Sequence, residues 1–128
     1  DYLINFSKEY IYSTHLSPVQ TQSVLDNLSL VKHDQWRRDR LNANIHYFRA
    51  HLDSSRCELM TSVSPIQPLL VNDEASAMGL AEQLKTAGVW AGAMRYPTVA
   101  KGAARVRVTI TAKHSKEDLD VLLECLNA

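Results

Sequence analysis

A chain of 128 residues, 45% hydrophobic and 22% charged, has the size and composition of one ordinary soluble domain with a single modest core. Its 14 basic and 14 acidic residues balance, so no net field favours nucleic-acid binding. No apolar run is long enough to span a bilayer, and no basic segment precedes an apolar stretch at the N-terminus. We therefore expect a cytoplasmic protein that is neither secreted nor embedded in a membrane.

The cysteine and histidine positions indicate neither disulfide nor metal chemistry. Cys57 and Cys125 are far apart and lack a C-x-x-C partner, which suits a reduced cytosolic protein. The histidines, among them His33, His46 and His51, lack ligand spacing to cysteines or carboxylates. We expect no metal site.

The first third of the chain is predicted to be helical. Residues 1–6 read as the middle of a helix without a start signal, so the sequence looks cut from something longer. Ser17 is a predicted N-cap with Pro18 at the first helical position. Apolar residues at helical spacing then predict one buried stripe, formed by Val24, Leu25, Leu28 and Val31.

A second helix is predicted from the cap residue Asp34 to the polar residues 53–55. Its predicted apolar face consists of Trp36, Leu41, Ile45, Phe48 and Leu52. We interpret the two helices as an arm between a larger and a smaller domain. Residues 1–33 would be the end of the large domain and the connecting helix, and residues 34–128 the C-terminal small domain.

From residue 57 onward, short strands alternate with helices. The predicted elements are strands near 57–61, 66–71, 89–94 and 104–111, a helix over 74–87 that ends at Gly88, and a last helix from Ser115. Ser115 with Asp118 forms an S-x-x-D start that is close to a capping box. This order predicts an α+β domain, with a short mixed or antiparallel sheet and helices on one face.

The strand near residues 104–111 carries two arginines on one face. If the side chains alternate along this strand, one face carries Val106, Val108 and Ile110. The opposite face then carries Arg105, Arg107 and Thr109. Two guanidiniums two positions apart repel unless an anion or a carboxylate lies near them. An anion site is the first hypothesis, and an edge strand with a basic solvent face is the alternative.

Residues 94–115 contain Arg-x-Pro-Thr-Val, a Gly, Ala-Arg-x-Arg-x-Thr and His-Ser in that order. This pattern resembles the C-terminal signature of the α-oxoamine synthases, pyridoxal-phosphate enzymes that condense an amino acid with an acyl-CoA. Residues 64–69 and 88–90 look most like the member that condenses L-alanine with pimeloyl-CoA or pimeloyl-carrier protein in biotin biosynthesis. The resemblance runs through essentially the whole chain but covers only the last third of such an enzyme.

Two departures keep alternatives open. Tyr96 and Ala100 stand where the family pattern usually has proline, and Tyr-Pro-Thr-Val is closer to the form of 5-aminolevulinate synthases. Within the family, the alternatives are the glycine-using 5-aminolevulinate synthase and 2-amino-3-ketobutyrate CoA ligase. From another class, the alternative is a free-standing, non-catalytic α+β module for ligand binding or dimerisation.

The resemblance implies a homodimeric acyltransferase with pyridoxal 5'-phosphate as cofactor and the small domain of the aspartate-aminotransferase type of fold (fold type I). The lysine that holds this cofactor as a Schiff base lies in a Gly-Lys context that is absent here. We therefore expect that lysine to precede Asp1, and this segment to be inactive alone. Ser13 and Thr14 match hydroxyl residues that reach the cofactor phosphate of the neighbouring subunit.

The resemblance also implies substrate contacts. Arg107 matches the arginine that clamps the α-carboxylate of the amino acid, and Thr98 matches a substrate-contacting threonine. Arg95 is a candidate partner for the distal carboxylate of the pimeloyl group, and stacking on the Tyr96 ring is its alternative. Arg105, on the same face, is expected to be structural or to support the substrate arginine, with Asp118 or Asp120 as its candidate partner. His114 is expected to lie on the surface, and capping of the strand end is its alternative.

Overall fold

The computed structural model describes residues 1–14, 16–53, 55, 58–71 and 73–128. Contacts divide the chain into a first unit, Asp1–Gln35, and a second unit, Trp36–Ala128. The elements are α1 (Tyr2–Phe6), α2 (Lys8–Ile11), α3 (Pro18–His33), α4 (Gln35–His51), β1 (Glu58–Leu59), β2 (Ile66–Leu70), α5 (Glu74–Thr86), β3 (Gly92–Met94), β4 (Arg105–Thr109) and α6 (Lys116–Asn127). Within the described ranges, no helix is long and apolar enough to cross a bilayer.

Helix α3 of the first unit begins as predicted, with Ser17 at the N-cap and Pro18 at the first position. The prediction that its apolar stripe is buried is wrong. The exposed fractions of the side chains are 65% for Val24, 55% for Leu25, 46% for Leu28 and 60% for Val31. Spacing shows which side chains share a face, but burial requires a second surface, and nothing described in this unit buries α3.

The second unit is built on a four-stranded antiparallel sheet with the strand order β1-β2-β4-β3. Its core lies between one face of this sheet and helices α4, α5 and α6. The buried residues of the core are Ile45, Phe48, Leu52, Leu69, Leu84, Val106, Val108, Ile110, Leu119, Leu122, Leu123 and Leu126. The prediction of an α+β layer with helices on one face of a small sheet is confirmed.

The strands are shorter than predicted, and for β3 a hydrogen bond outside the ladder explains why. The amide of Val89 donates to Leu84 O (2.8 Å), which ties the segment after α5 to the end of that helix and delays β3 until Gly92. Strand β4 ends at Thr109, beyond which the Ile110 amide still donates to Pro65 O (2.9 Å). Strand β1 keeps two residues, and the predicted start at residue 57 lies outside the described residues.

The helix boundaries agree better with the sequence, because their signals are local. The predicted capping box of α6 is confirmed: Ser115 N donates to Asp118 Oδ2 (2.8 Å), and Asp118 N donates to Ser115 Oγ (3.2 Å). Helix α5 is followed by Gly88 at φ +85°, a conformation that favours glycine. Asp73 caps its start by accepting from Ser76 N (2.9 Å).

Candidate functional site

The predicted alternation of β4 is confirmed. Val106 and Val108 are buried against the helices, whereas Arg107 and Thr109 are exposed and Arg105 is half-buried on the opposite face. The core-forming residues of α4, α5 and α6 all lie on the valine side, so none of these helices covers the arginine face. We call this surface, carrying Arg105, Arg107 and Thr109, the two-arginine face.

The guanidinium of Arg105 is held in place by its surroundings. Its Nε donates to Ala103 O (3.1 Å), and its Nη1 lies 3.5 Å from Met60 Sδ. Its cross-strand neighbours are Leu70 on β2 and Met94 on β3, two large apolar side chains. Arg105 therefore has a structural role in this face.

Arg107 stands in a different environment, although it lies only two positions further along the strand. Its cross-strand neighbours are Pro68 on β2 and Gly92 on β3, neither of which has a side-chain acceptor for the guanidinium. Arg107 is exposed, and no side-chain hydrogen bond or ion pair joins it to the described part of the chain. A free, planar guanidinium with unused donors is suited to bidentate binding of a carboxylate.

The loop between β3 and β4 carries two further candidates, Arg95 and Thr98, both exposed. The loop contains a cis peptide bond between Tyr96 and Pro97, and Val99 N donates to Arg95 O (3.2 Å). The cation above the Tyr96 ring is Lys101, with its Nζ 5.3 Å from the ring centroid. Lys101 therefore holds the position that the stacking alternative gave to Arg95.

The sheet register relates these candidates to Arg107. Met94, which precedes Arg95, pairs with Arg105, so the loop leaves the sheet at the Arg105 end of β4. Two residues of strand separate this end from Arg107, a distance of about 7 Å. The loop that carries Arg95 and Thr98 thus begins at the Arg105 end of the two-arginine face.

Ser13 and Thr14 lie in the first unit, between α2 and α3. Both residues are exposed, and the Ser13 amide donates to Tyr10 O (3.2 Å). They precede the first residue of α3 by five and four positions, and the N-cap of that helix is Ser17. Their hydroxyl groups are available to a phosphate, but the start of α3 lies beyond them in the chain.

Two expectations about neighbouring polar residues are wrong: the pairing of Arg105 with Asp118 or Asp120, and the surface position of His114. Asp118 belongs to the α6 cap, and Asp120 accepts from Tyr47 Oη at 2.5 Å, so neither pairs with Arg105 across the sheet. Both lie on a helix that packs on the other face. His114 is not a plain surface residue: its Nδ1 accepts from Thr111 N (3.1 Å) and caps the end of the strand.

The carboxylates of the α6 start have perturbed acidities. Hydrogen bonds from the backbone and side chain of Ser115 lower the pKa of Asp118 below its ordinary value of 3.8. The hydrogen bond with Asp120 raises the pKa of Tyr47 above 10.0, with desolvation adding to the effect. These shifts belong to helix capping and to the α4–α6 contact, away from the two-arginine face.

The lysines and the potential metal ligands form no further site in the described part of the chain. Every lysine of the chain is exposed: Lys8, Lys32, Lys85, Lys101, Lys113 and Lys116. Lys85 pairs with Glu82 (3.4 Å), and Lys116 lies over the Tyr47 ring. Among the residues with described positions, no three His, Cys, Asp or Glu side chains are grouped to hold a metal ion.

Sequence reasoning missed Gly92, Pro68 and Met60, which distinguish the two arginines. The alternation along β4 predicts that both guanidiniums share a face, but it carries no information about cross-strand partners. Only the register of β2 and β3 against β4 supplies those partners.

Comparison with known proteins assigns this fold to a class. Residues 1–126 match the aminotransferase class I and II family, and the chain belongs to that family. Enzymes of this family depend on pyridoxal phosphate. The chain is 44% identical over 126 residues to the 8-amino-7-oxononanoate synthase of Aeromonas hydrophila, covering 98% of this chain and 32% of that protein. It spans about a third of the length of the curated relatives it matches.

Solved structures give the same fold. The crystal structure of 8-amino-7-oxononanoate synthase from Francisella tularensis matches with a TM-score of 0.79 and 28% identity, covering 98% of this chain and 36% of that one. Serine palmitoyltransferase of Sphingomonas wittichii matches with a TM-score of 0.83 and 23% identity, over 98% of this chain and 32% of that one. The second likeness shows the fold alone. The expected membership in fold type I is confirmed.

Proposed function

We propose that this chain is the C-terminal part of an 8-amino-7-oxononanoate synthase. The complete enzyme, meaning the longer polypeptide of which this chain would be a part, condenses L-alanine with pimeloyl-CoA or a pimeloyl-carrier protein and releases carbon dioxide. It acts as a cytoplasmic homodimer. The identity of 44% to a relative of that name supports this proposal. The observation in the structure that carries it is the exposed Arg107 guanidinium, with no partner in the described part of the chain.

In this proposal Arg107 binds the α-carboxylate of L-alanine. Two parallel N–H donors match the two carboxylate oxygens and fix the orientation of the amino acid about its Cα. Thr98, exposed in the loop at the same end of the sheet, adds a hydroxyl donor toward the substrate. Arg95, in the same loop, pairs with the distal carboxylate of the pimeloyl group, which an uncharged acyl chain lacks.

The donor set of the chain fits part of a pyridoxal phosphate site. Ser13 and Thr14 present two exposed hydroxyl groups, which donate to phosphate oxygens, and we propose that they serve the cofactor of the neighbouring subunit. When bound, pyridoxal phosphate supplies an electron sink for chemistry at the substrate Cα. The contribution of this chain is to hold the phosphate and to orient the carboxylate.

The lysine that bonds covalently to the cofactor is proposed to lie outside this chain. A lysine with that role needs a desolvated or specifically organised environment, whereas all six lysines here are exposed. The isolated chain should therefore be inactive and should form only slow, nonspecific adducts with pyridoxal phosphate. A stoichiometric adduct at one of these lysines, trapped by borohydride and located by peptide mass spectrometry, would contradict this assignment.

The exposed stripe on α3 supports a larger assembly. Four apolar side chains, each 46% to 65% exposed, form a surface that needs cover from other protein. We propose that this cover comes from the rest of the complete enzyme and from its second subunit.

The reaction itself is tested by assaying the complete enzyme with pimeloyl-CoA and either L-alanine or glycine. Turnover with L-alanine, measured as released CoA and carbon dioxide, is the expected result. Preferential turnover of glycine would instead assign the chain to the glycine-using members of the family. The glycine-using enzymes are the second candidate because Tyr96 stands where the family pattern usually has proline.

A further inference from the structure

Gly92 is the direct cross-strand neighbour of Arg107 in the ladder between β3 and β4. Residues directly opposite each other in an antiparallel pair project from the same face, with Cβ atoms about 4.5–5.5 Å apart. A side chain at position 92 would therefore stand beside the stem of Arg107. Apart from the two chain neighbours of Gly92, a Cβ at this position would meet no atom within 4 Å, so the space is open.

The backbone does not require glycine at this position. Gly88 and Gly102 have positive φ angles of 85° and 76°, a conformation that favours glycine. The φ angle of Gly92 is not positive, so its backbone conformation is open to other residues. Glycine inside a strand weakens it, because it loses more conformational freedom on folding and packs no side chain. The structural consequence of Gly92 is thus the open space beside Arg107.

The neighbour of Arg107 on its other side, Pro68, also lacks a polar side chain. Pro68 on β2 is half-buried, and its ring offers neither charge nor hydrogen-bond acceptor. Arg105 shows the contrast, because Leu70 and Met94 flank it. The register therefore places a proline and a glycine on the two sides of the Arg107 guanidinium.

We infer that Gly92 is a specificity-determining position of the carboxylate site: its missing side chain keeps the approach to the Arg107 guanidinium open for the α-carboxylate of an amino acid. This inference rests on the proposed role of Arg107. A β-branched side chain at position 92 would cover the arginine stem. A carboxylate at position 92 would pair with the guanidinium and compete with the substrate.

The test measures L-alanine binding by calorimetric titration of the complete enzyme loaded with pyridoxal phosphate. Gly92→Glu should weaken L-alanine binding about tenfold or more, as expected for loss of a charge-assisted hydrogen bond. Gly92→Gln, which has the same shape without the charge, should lose less. Gly92→Val should weaken binding while its midpoint of chemical denaturation stays equal to or above that of the parent, because valine favours strands.

Two controls separate this effect from general electrostatics and from folding. Met94→Glu places the same charge on the same face opposite Arg105, and it should keep L-alanine affinity within about threefold. L-alaninamide lacks the carboxylate, so its affinity should not fall in any Gly92 variant. The inference is overturned if Gly92→Glu keeps parental affinity for L-alanine. It is also overturned if Met94→Glu causes an equal loss, or if Gly92→Val lowers the denaturation midpoint along with the affinity.

Arg107→Lys, measured in the same assay, distinguishes this inference from the function on which it rests. If Arg107→Lys keeps parental L-alanine affinity, the carboxylate is bound elsewhere and both proposals fail. If Arg107→Lys weakens binding and Gly92→Glu does not, only the inference about Gly92 fails.

Discussion

Arg105 and Arg107 project from the same face of β4, but only the Arg105 guanidinium is held in place. Arg105 Nε donates to Ala103 O, and Arg105 Nη1 contacts Met60 Sδ, whereas Arg107 is exposed between two residues without a side-chain acceptor. A pair of like charges on one strand therefore divides into a structural and a free member. The free member is the one that an anionic ligand can reach.

Arg105→Lys provides the first prediction. Lysine keeps the charge but cannot donate to Ala103 O through an Nε, so the denaturation midpoint should fall. L-alanine affinity in the complete enzyme should stay within about threefold of the parent, as measured by calorimetry. A loss of affinity as large as that caused by Arg107→Lys would show that both guanidiniums bind the substrate.

The second prediction concerns the hydroxyl groups of Ser13 and Thr14. The double variant Ser13→Ala, Thr14→Val should retain pyridoxal phosphate less well, because two donors to the phosphate are lost. A mixed dimer tests on which subunit they act, with the double variant in one subunit and the loss of the cofactor-bonding lysine in the other.

If Ser13 and Thr14 serve the neighbour, both lesions fall in one site of the mixed dimer, and the other site binds the cofactor with parental affinity. If they act within their own subunit, each site carries one lesion and neither is normal. Absorbance titration with the cofactor after reconstitution measures the outcome. Absence of any parental site would contradict the proposed role across the dimer.

The third prediction concerns Arg95, the proposed partner of the distal carboxylate of the acyl donor. Arg95→Ala should raise the KM for pimeloyl-CoA by up to about fivefold, since an exposed ion pair is worth roughly 0–1 kcal/mol. It should change neither L-alanine affinity nor the KM for an uncharged acyl-CoA of similar length. Lys101→Ala, in the same loop, is the matched control and should change neither KM. An equal rise with both acyl donors would assign Arg95 to general positioning.

The fourth prediction follows from the depressed pKa of Asp118. Its carboxylate accepts from Ser115 N, so the folded state favours the charged form, and the stabilisation is present above the ordinary pKa of 3.8. It is lost as the pH falls through the lower, folded pKa. Asp118→Asn should therefore lower the denaturation midpoint at neutral pH, and the difference from the parent should shrink in acid. Glu124→Gln, on the same helix but outside the cap, serves as the control. A difference that is constant with pH would exclude the charged cap as its cause.

The sequence predicts those features that depend on short-range chemistry. The start of α6 follows from the Ser115 and Asp118 pair, and the two faces of β4 follow from alternation. The start of β3 could not be predicted, because the bond from Val89 N to Leu84 O depends on how α5 ends in three dimensions.

Burial and ligand access are harder to predict from the sequence, because they depend on residues that are distant along the chain or outside the element itself. The stripe on α3 has the spacing of a buried face, but what covers it is not part of the helix itself. The openness of Arg107 depends on Gly92 and Pro68, which are distant in the sequence and become neighbours only through strand pairing.

The central claim, that Arg107 binds the α-carboxylate of the amino acid, is tested most directly by calorimetric titration of L-alanine and L-alaninamide into the complete enzyme and its Arg107→Lys variant. Lysine keeps the charge and loses the bidentate geometry, so L-alanine affinity should fall about tenfold to a hundredfold. L-alaninamide affinity and the denaturation midpoint should stay at parental values, since Arg107 is exposed. Parental affinity of Arg107→Lys for L-alanine would contradict the claim.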